Sequence, residues 1–592
     1  MRFRLLLVLA ATLACARASK PPAAVPEADP GRDGRRLTVV GINDTHGSLL
    51  PVQAPRTLAS VTKSEIGGAD WLAGYFTALR ADAKARGDEV VVLDAGDAFQ
   101  GTLISNEFRG RSVVDVYNVL GVAAAAIGNH DFDFGLPVLQ ERIAQSKFPW
   151  LAANVFLKGT RNRPEWARPS VIVEIGGIRV GIVGLATRET PLVTNPVNVA
   201  HLDFVDGGPV AAEEADRLRQ AGAQVVLVTA HMGPFPPQNE IQGIAEACKG
   251  KVDAIVSGHH HVAIGAKPGE GPLVVAGIPI VQSGSKLQNF STIDLTLDAK
   301  NHVRGFTVNE GNLPKSGAPQ AILHTVDGKP AEYRGHSVEP DAQVAGILRD
   351  YDVQVKKLRE STIGETTVKL EKANPGQDDL LANLTSDALR SGAGGALKAD
   401  FGFQNSGGLR IPEIPAGPIT FGQIFDLYPF DNEQVVVSVS ADQLRAALES
   451  VLRAGKNPLR PSGIRYTIDW EKFHARDLKA AAPLGAMVTR ILDDKSGKVL
   501  CETKSCGPAA CEPGCAAGTF TVSLTDFLAN GGDGLDAFKD APRQVGPVLA
   551  RDIIVAYVKE HRPLTAKLLG STSAGAPPRL VVNGTGQRAQ TD

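Results

Sequence analysis

From residue 37 onward the apolar positions of this chain fall into short runs, each closed at once by a tight polar loop. Residues 37–42, 90–93, 123–127, 225–229 and 254–257 are such runs. Their length and the turn residues that bound them predict buried strands. Between them the apolar spacing changes to three and four. Trp71, Leu72, Tyr75, Phe76 and Leu79 share one helical face, Val113, Val114, Tyr117 and Leu120 make another, and residues 208–221 predict a third helix. Strands alternating with helices predict a layered α/β domain. Residues 171–175 and 179–185 read as a hairpin turning at Gly176-Gly177, and 272–276, 280–283 and 291–297 as closing strands. Residues 311–341 are polar, rich in Pro and Gly, and without a sustained period. Val344, Ile347, Leu348, Tyr351, Val355 and Leu358 then predict a helix over 342–359. The expected division is a first domain over 36–310, a linker and connecting helix over 311–360, a second domain over 361–570 and a disordered polar tail over 571–592.

Composition narrows the class. A length of 592 residues exceeds one ordinary core, so two large domains are expected. With 43% hydrophobic and 21% charged residues the make-up is that of a soluble globular protein. A net charge of −2 gives no bulk attraction to nucleic acid or an anionic membrane. An anionic small molecule must therefore be captured locally, by metals or a few Arg. Arg2 and Arg4 precede the apolar stretch 5–14, which is too short to span a bilayer and reads as a secretory signal over 1–18, cleaved after Ala18. A Pro-rich tether, 19–35, follows. Lipidation at Cys15 is the alternative, although Thr12 stands where such a site usually has Leu. Either outcome places the mature chain outside the cytoplasm, periplasmic or extracellular, soluble or lipid-anchored. Cys501, Cys506, Cys511 and Cys515 form a cluster that an oxidising compartment would turn into two local disulfides, the alternative being a four-thiolate zinc site.

The loops that close the strands carry the chemistry. They read Asn43-Asp44-Thr45-His46, Asp94-Ala95-Gly96-Asp97, Gly128-Asn129-His130-Asp131-Phe132-Asp133, Ala230-His231 and Gly258-His259-His260-His261. A single His at a strand end is most often an ordinary solvated loop residue. Five metal-type loops in one α/β domain, where ligands gather beyond strand ends, are not coincidence. The Asn129 carboxamide can bind a metal through oxygen, and His130 can reach an oxygen held on that metal. Asp133, three residues on, can take the other imidazole N–H and fix the tautomer. The set is large enough for two metals sharing a carboxylate, an arrangement that clamps the attacking and leaving oxygens of a phosphoryl displacement. Mixed Asp, His and Asn donors admit zinc, manganese, cobalt or iron.

These loops, taken in order, resemble the calcineurin-like metallophosphoesterases, and within them the secreted 5′-nucleotidase family, over residues 37 to about 308. The resemblance implies a four-layer β-sandwich flanked by helices, a linker helix and a C-terminal α/β nucleotide-binding domain. It implies that Asp44 and His46 bind one metal, that Asp97 bridges, and that Asn129, His231 and His259 bind the other. His261 falls where the family places a further ligand on the first metal. His130 falls on the transition-state His or general acid, paired with Asp133, and His260 is read as pointing away. A second stretch, Asn405-Ser406-Gly407-Gly408-Leu409-Arg410, resembles the family's nucleotide loop. There Gly407 and Gly408 would let the backbone approach a ligand, Arg410 would grip phosphate and Asn405 a base. Phe430 and Phe527 match two aromatic walls that would sandwich the base, and Asp533 would take ribose hydroxyls. Gln377 departs from the pattern, since the family usually carries Arg there, and Ala382 stands where it carries Gly. That leaves one positive contact to phosphate fewer. The implied activity is removal of 5′-phosphate from nucleotides. Cyclic-nucleotide phosphodiesterase, nucleotide-sugar hydrolase and sulfur-compound hydrolase are the alternatives in the same fold. An exported nucleoside-binding lipoprotein is the non-enzymatic one, and it would predict a damaged ligand set.

Overall fold

The computed structural model describes residues 34–54, 65–234, 240–267, 270–475, 487–506 and 511–583, the backbone alone for 474–475, 504–506 and 511–513. The expected signal 1–18, the tether to residue 33 and the end of the tail, 584–592, lie outside the described residues. Among the described residues no helix is long and apolar enough to cross a membrane.

The N-terminal unit is built on two sheets packed face to face. In the first, the strands run Val303–Val308, Asn289–Leu297, Arg36–Ile42, Glu89–Asp94, Val122–Ala126 and Trp150–Leu151, with Gln320–Ala321 added beside Asn289–Leu297. In the second, the order is Leu273–Val275, Ile278–Val281, Ala254–Ser257, Val225–His231, Ile178–Ala186 and Ser170–Ile175. Leu37, Val39, Val91 and Leu93 of one sheet meet Val180, Ile182, Val225 and Leu227 of the other in a core fully closed to water. These strands are apolar on both faces because both faces are covered. Helices Ala69–Arg86 and Arg111–Leu120 cover the outer face of the first sheet through Leu72, Phe76, Val113 and Tyr117. Helices Gly207–Gln220 and Glu240–Ala247 cover the second through Val210, Leu218, Ile241 and Ile244. The result is the expected helix–sheet–sheet–helix layering.

The segment read as a linker is part of this unit. Ala321 pairs with Asn289, the Tyr75 hydroxyl donates to the Leu323 carbonyl at 2.9 Å, and Trp71 stacks on His324 at 4.1 Å between ring centroids. Its lack of period reflects a run of two-residue strands, too short to show one. Helix Ala342–Arg359 forms over the expected residues, its N-terminus capped by the Asp341 carboxylate accepting from Val344 N–H. Tyr351 anchors it by donating to Asp115 at 2.6 Å.

The C-terminal unit is a mixed α/β structure. One five-stranded sheet runs Arg460–Ser462, Phe401–Gln404, Thr519–Thr525, Glu433–Ser440 and Arg543–Leu549. A second runs Cys511–Cys515, Val499–Cys506, Val488–Asp493, Ile464–Asp469 and Leu580–Asn583. The expected disordered tail is therefore structural as far as residue 583: its last strand pairs in parallel with Ile464–Asp469. Cys501 and Cys515 are disulfide-bonded, which removes two thiolates from the four-thiolate zinc reading. Cys506 and Cys511 face each other in register, but their side chains lie outside the described residues.

Arg579, just before the last strand, makes a two-pronged pair with Asp387 of helix Leu380–Ser391, at 2.6 and 2.8 Å. Both side chains are mostly buried. Arg579→Ala is expected to destabilise the C-terminal unit by about 3–5 kcal/mol, because it strands a buried carboxylate. Denaturant unfolding of the full chain measures this, and an unchanged midpoint would show that the segment contributes nothing.

Candidate active site

Five strands place their ends on one edge of the sandwich. Arg36–Ile42, Glu89–Asp94 and Val122–Ala126 run parallel in one sheet, and Val225–His231 and Ala254–Ser257 in the other. The loops beyond them bring all seven expected ligands together. Asp44, His46 and His261 form one cluster and Asp97, His231 and His259 a second; within each, the donor atoms lie within 4.8 Å of one another. Asp97 stands between them, its Oδ2 3.1 Å from His231 Nε2 and 3.7 Å from His46 Nε2. Asn129 turns its side-chain oxygen toward His231 Nε2 at 3.1 Å and donates its NH₂ to the Val193 carbonyl. His261 Nε2 lies 3.0 Å from His46 Nε2 and 3.3 Å from Asp44 Oδ1.

The surrounding backbone fixes these side chains. His46 and His231 each set Nδ1 2.8 Å from a carbonyl, of Gln100 and Ala95 respectively. Those bonds fix a proton on Nδ1 and turn Nε2 into the clusters, where it is the lone-pair donor whenever the ring is neutral. Asp44, His46, Asp97, His259 and His261 all hold left-handed backbone, with φ of 48, 47, 57, 76 and 54°. For residues with a Cβ such geometry costs roughly 1–3 kcal/mol each, and its concentration in the ligand loops marks a site rather than ordinary turns. Gly128 is required because a Cβ there would collide with the Asp97 carboxylate. His260, expected as a non-ligand, packs its ring against Gly233. Asn154 is structural: its side-chain NH₂ donates to the Ala186 and Val205 carbonyls and its side-chain oxygen accepts from Ala186 N–H.

The electrostatics ask for positive charge. Burial alone would raise Asp97, yet His231, His130 and His46 outweigh it and hold it well below the carboxylate range. Burial opposes a charged His231 ring, but Asp97 and Asp44 lift it to about 10. Burial and the nearby Arg410 keep His46 well below the usual imidazole range. What the chain offers these carboxylates is imidazolium rings, His231 first, and the Arg410 guanidinium. Neutral His and ionised Asp around divalent cations satisfy the same charges with the donor atoms already placed, so the residues fit two metals.

His130 stands beside the clusters. Its Nδ1 lies 2.7 Å from Asp133 Oδ2, and the other Asp133 oxygen accepts from the Thr194 hydroxyl at 2.7 Å. Burial disfavours a charged His130 ring, but Asp133 and Asp97 prevail and raise its pKa. The C-terminal unit closes over this edge. Arg410 Nη2 comes within 3.4 Å of His46 Nε2, and the Phe430 ring lies 5.8 Å from that of His130. Asn405 donates to Asp533 Oδ2 at 2.7 Å. Asn405, Gly407, Gly408, Arg410, Phe430, Phe527 and Asp533 line one cavity of about 340 Å³, shared with Asp97, Asn129, His130, His259 and His261. Gly532 lets the Phe527 ring lie flat over the chain, where a Cβ would strike it. Gln377 is exposed and does not line this cavity, so the missing Arg is not missing from its wall. Ala382 is buried in the helix.

Three residues of the site escape the sequence reading. Asp131 accepts from the N–H groups of Asp97, Ala98, Phe99 and Gly128 at 2.8–3.3 Å, tying two ligand loops together. Glu189 lies 3.2 Å from His259 Nε2, and Lys456 lies 3.7 Å from Glu189. Glu189 follows strand Ile178–Ala186, so the strand-then-loop pattern applied a sixth time would have found it. Lys456 stands in a loop with no motif.

A two-sheet α/β sandwich with paired Asp/His clusters at its strand ends defines a metallophosphoesterase, a hydrolase of phosphoric esters. Residues 37–263 match the calcineurin-like phosphoesterase family and 362–540 the 5′-nucleotidase C-terminal domain. A snake venom 5′-nucleotidase of Gloydius brevicauda is 27% identical over 558 residues, covering 88% of this chain and 86% of that protein. The 5′-nucleotidase of Mus musculus is 27% identical over 544 residues, 86% of this chain and 85% of its own. The crystal structure of a 5′-nucleotidase precursor from Thermus thermophilus superposes with a TM-score of 0.69 at 26% identity, covering 93% of this chain and 100% of that one. The chain belongs to the 5′-nucleotidase family.

Asp131→Ala leaves four buried N–H groups without their acceptor. At about 1–3 kcal/mol for an unmet buried donor, a loss of at least about 2 kcal/mol in unfolding free energy is expected. Chemical denaturation gives the value; a loss below about 0.5 kcal/mol would mean that the two loops hold without it.

Proposed function

We propose that this protein is an exported nucleotidase that removes the 5′-phosphate of nucleotides with two divalent cations. The carrying observation is that members of both cation-type clusters (His261, and Asp97 with His259), the Arg410 guanidinium and both aromatic walls share one cavity. Its volume of about 340 Å³ falls in the range of small-molecule sites. Asp44, His46 and His261 would hold one cation, and Asn129, His231 and His259 the other, with Asp97 placed to serve both. When bound, the two cations supply hydroxide near neutral pH and draw charge from the phosphate oxygens. Arg410 grips the phosphate from the opposite wall through parallel N–H donors. Asp133 holds His130 in one tautomer, so that Nε2 faces the cavity and offers a proton to the transferring group or the leaving oxygen. Phe430 and Phe527 stack on the base, Asn405 contacts it, Asp533 takes the ribose hydroxyls, and Gly407 and Gly408 let the backbone come close. Relatives named for snake venom, together with the leader-like N-terminus, support export to the periplasm or cell exterior, freely soluble or anchored through Cys15.

Phosphate release from AMP, UMP, 2′,3′-cyclic AMP and UDP-glucose tests this, with a coupled phosphatase for the last two. Turnover of AMP or UMP that EDTA abolishes and added Mn²⁺, Co²⁺ or Zn²⁺ restores is expected, with Asp97→Ala inactive. Preference for the cyclic or sugar substrate would move the reading to those activities. No turnover alongside tight nucleoside binding would make it a binding protein.

The side chains should separate by kinetic parameter. His130→Ala is expected to lower kcat by about 10²–10⁴ with little change in KM. Phe430→Ala and Phe527→Ala should each raise KM by the worth of one stacked base, about 1–3 kcal/mol, or roughly 5- to 150-fold. Steady-state kinetics on AMP decides; equal loss in kcat from the Phe variants would place them in the chemistry rather than in binding.

A further inference from the structure

Glu189 lies between strand Ile178–Ala186 and the short helix Thr190–Val193. Its carboxylate is mostly buried and faces two different parts of the molecule. One oxygen, Oε2, is 3.2 Å from Nε2 of His259, and the other, Oε1, is 3.7 Å from Nζ of Lys456 in the C-terminal unit. Lys456 lines the same cavity as Phe527 and Asp533. Glu189 is not one of the donors grouped with Asp97, His231 and His259. It therefore sits behind the His259 ring rather than among the ligands.

An imidazole has two nitrogens. A carboxylate that accepts the proton of Nε2 leaves Nδ1 with the lone pair, and it raises the basicity of that lone pair. His46 and His231 are held by backbone carbonyls, which cannot move independently of their loops. His259 alone of these three is held by a side chain, and that side chain is also held from the other unit. Were Glu189 only an interdomain ion pair, its loss would leave cation binding unchanged.

We propose that Glu189 is a positioning residue that sets the tautomer of His259 for the second cation and, through Lys456, couples the grip on that cation to the seating of the nucleoside wall. The proposal rests on the two-cation reading above. Coupling of this kind is reciprocal: a nucleoside that fixes the Lys456 wall strengthens cation binding by the factor by which the cation strengthens nucleoside binding.

The test titrates Co²⁺ into the EDTA-stripped full chain, following visible absorption and equilibrium dialysis, with and without adenosine. The wild type, Glu189→Gln, Glu189→Ala and Lys456→Met are compared, and circular dichroism checks folding. The wild type is expected to bind two ions per chain. Glu189→Gln, which keeps shape and removes charge, should weaken one of the two by about 10- to 100-fold and leave the other unchanged. Lys456→Met should weaken the same ion less and abolish the strengthening by adenosine. Two ions bound with wild-type affinities by the folded Glu189→Gln protein overturn the proposal, as does equal weakening of both ions. Fewer than two ions in the wild type overturn the two-cation reading itself, and this proposal with it.

Discussion

The structure turns on a concentration of negative charge that the chain cannot neutralise cheaply by itself. Asp44 and Asp97 are closed to water, and the equally buried Asp94 and Asp131 stand behind them. Isolated carboxylates in such surroundings would take up protons, and burial together with neighbouring charge does raise Asp94 and Asp131, the latter to about 6. The two placed among imidazoles are instead held ionised. The division separates acids that shape the loops from acids set among the imidazoles. The left-handed ligand residues, the carbonyl-fixed imidazoles and the glycine beneath Asp97 all keep that second pair of carboxylates where it is.

The C-terminal unit completes the arrangement from the opposite side. Asn106 donates to the Pro429 carbonyl at 2.6 Å, Asn195 to Asp526 at 2.7 Å, and Lys286 to the Arg410 carbonyl at 3.4 Å. Beside these polar contacts, Leu103 and Ile104 pack with Phe425 and with Val355 of the connecting helix in a small buried apolar cluster. Together these contacts bring the Arg410 guanidinium beside His46 and the Phe430 ring beside His130. Arg410 and Phe430 are themselves neighbours, the guanidinium 5.8 Å from the ring centroid, so a cationic and an aromatic surface meet in one cavity.

Most of the layered fold was legible because its strands are apolar on both faces and its helices keep a clean spacing; helix Ala342–Arg359 formed over the expected residues. What was not legible depends on partners far away in sequence. Residues 320–341 show no period because their two-residue strands borrow order from Asn289, Tyr75 and Trp71. Leu580–Asn583 reads as a polar tail until Ile464–Asp469 is there to pair with it. In the site, residues whose chemistry is carried by type and position, such as Asp97 or His231, could be named from the chain alone. Asp131 could not, since an acid that caps backbone N–H groups looks like any other acid in a loop. Lys456 could not either, because only the meeting of the two units brings it to Glu189.

The parallel pairing of Leu580–Asn583 with Ile464–Asp469 also sets an order of assembly. Every strand of the N-terminal sandwich has been synthesised well before residue 342, so that unit can close while the rest is still being made. Of the two sheets of the C-terminal unit, one gains its edge strand only with Leu580–Asn583, joined across a long stretch of chain, and such distant pairings form slowly. The half that carries the metal-type loops is thus finished early, and the half that supplies the opposite wall of the cavity is the last to take shape.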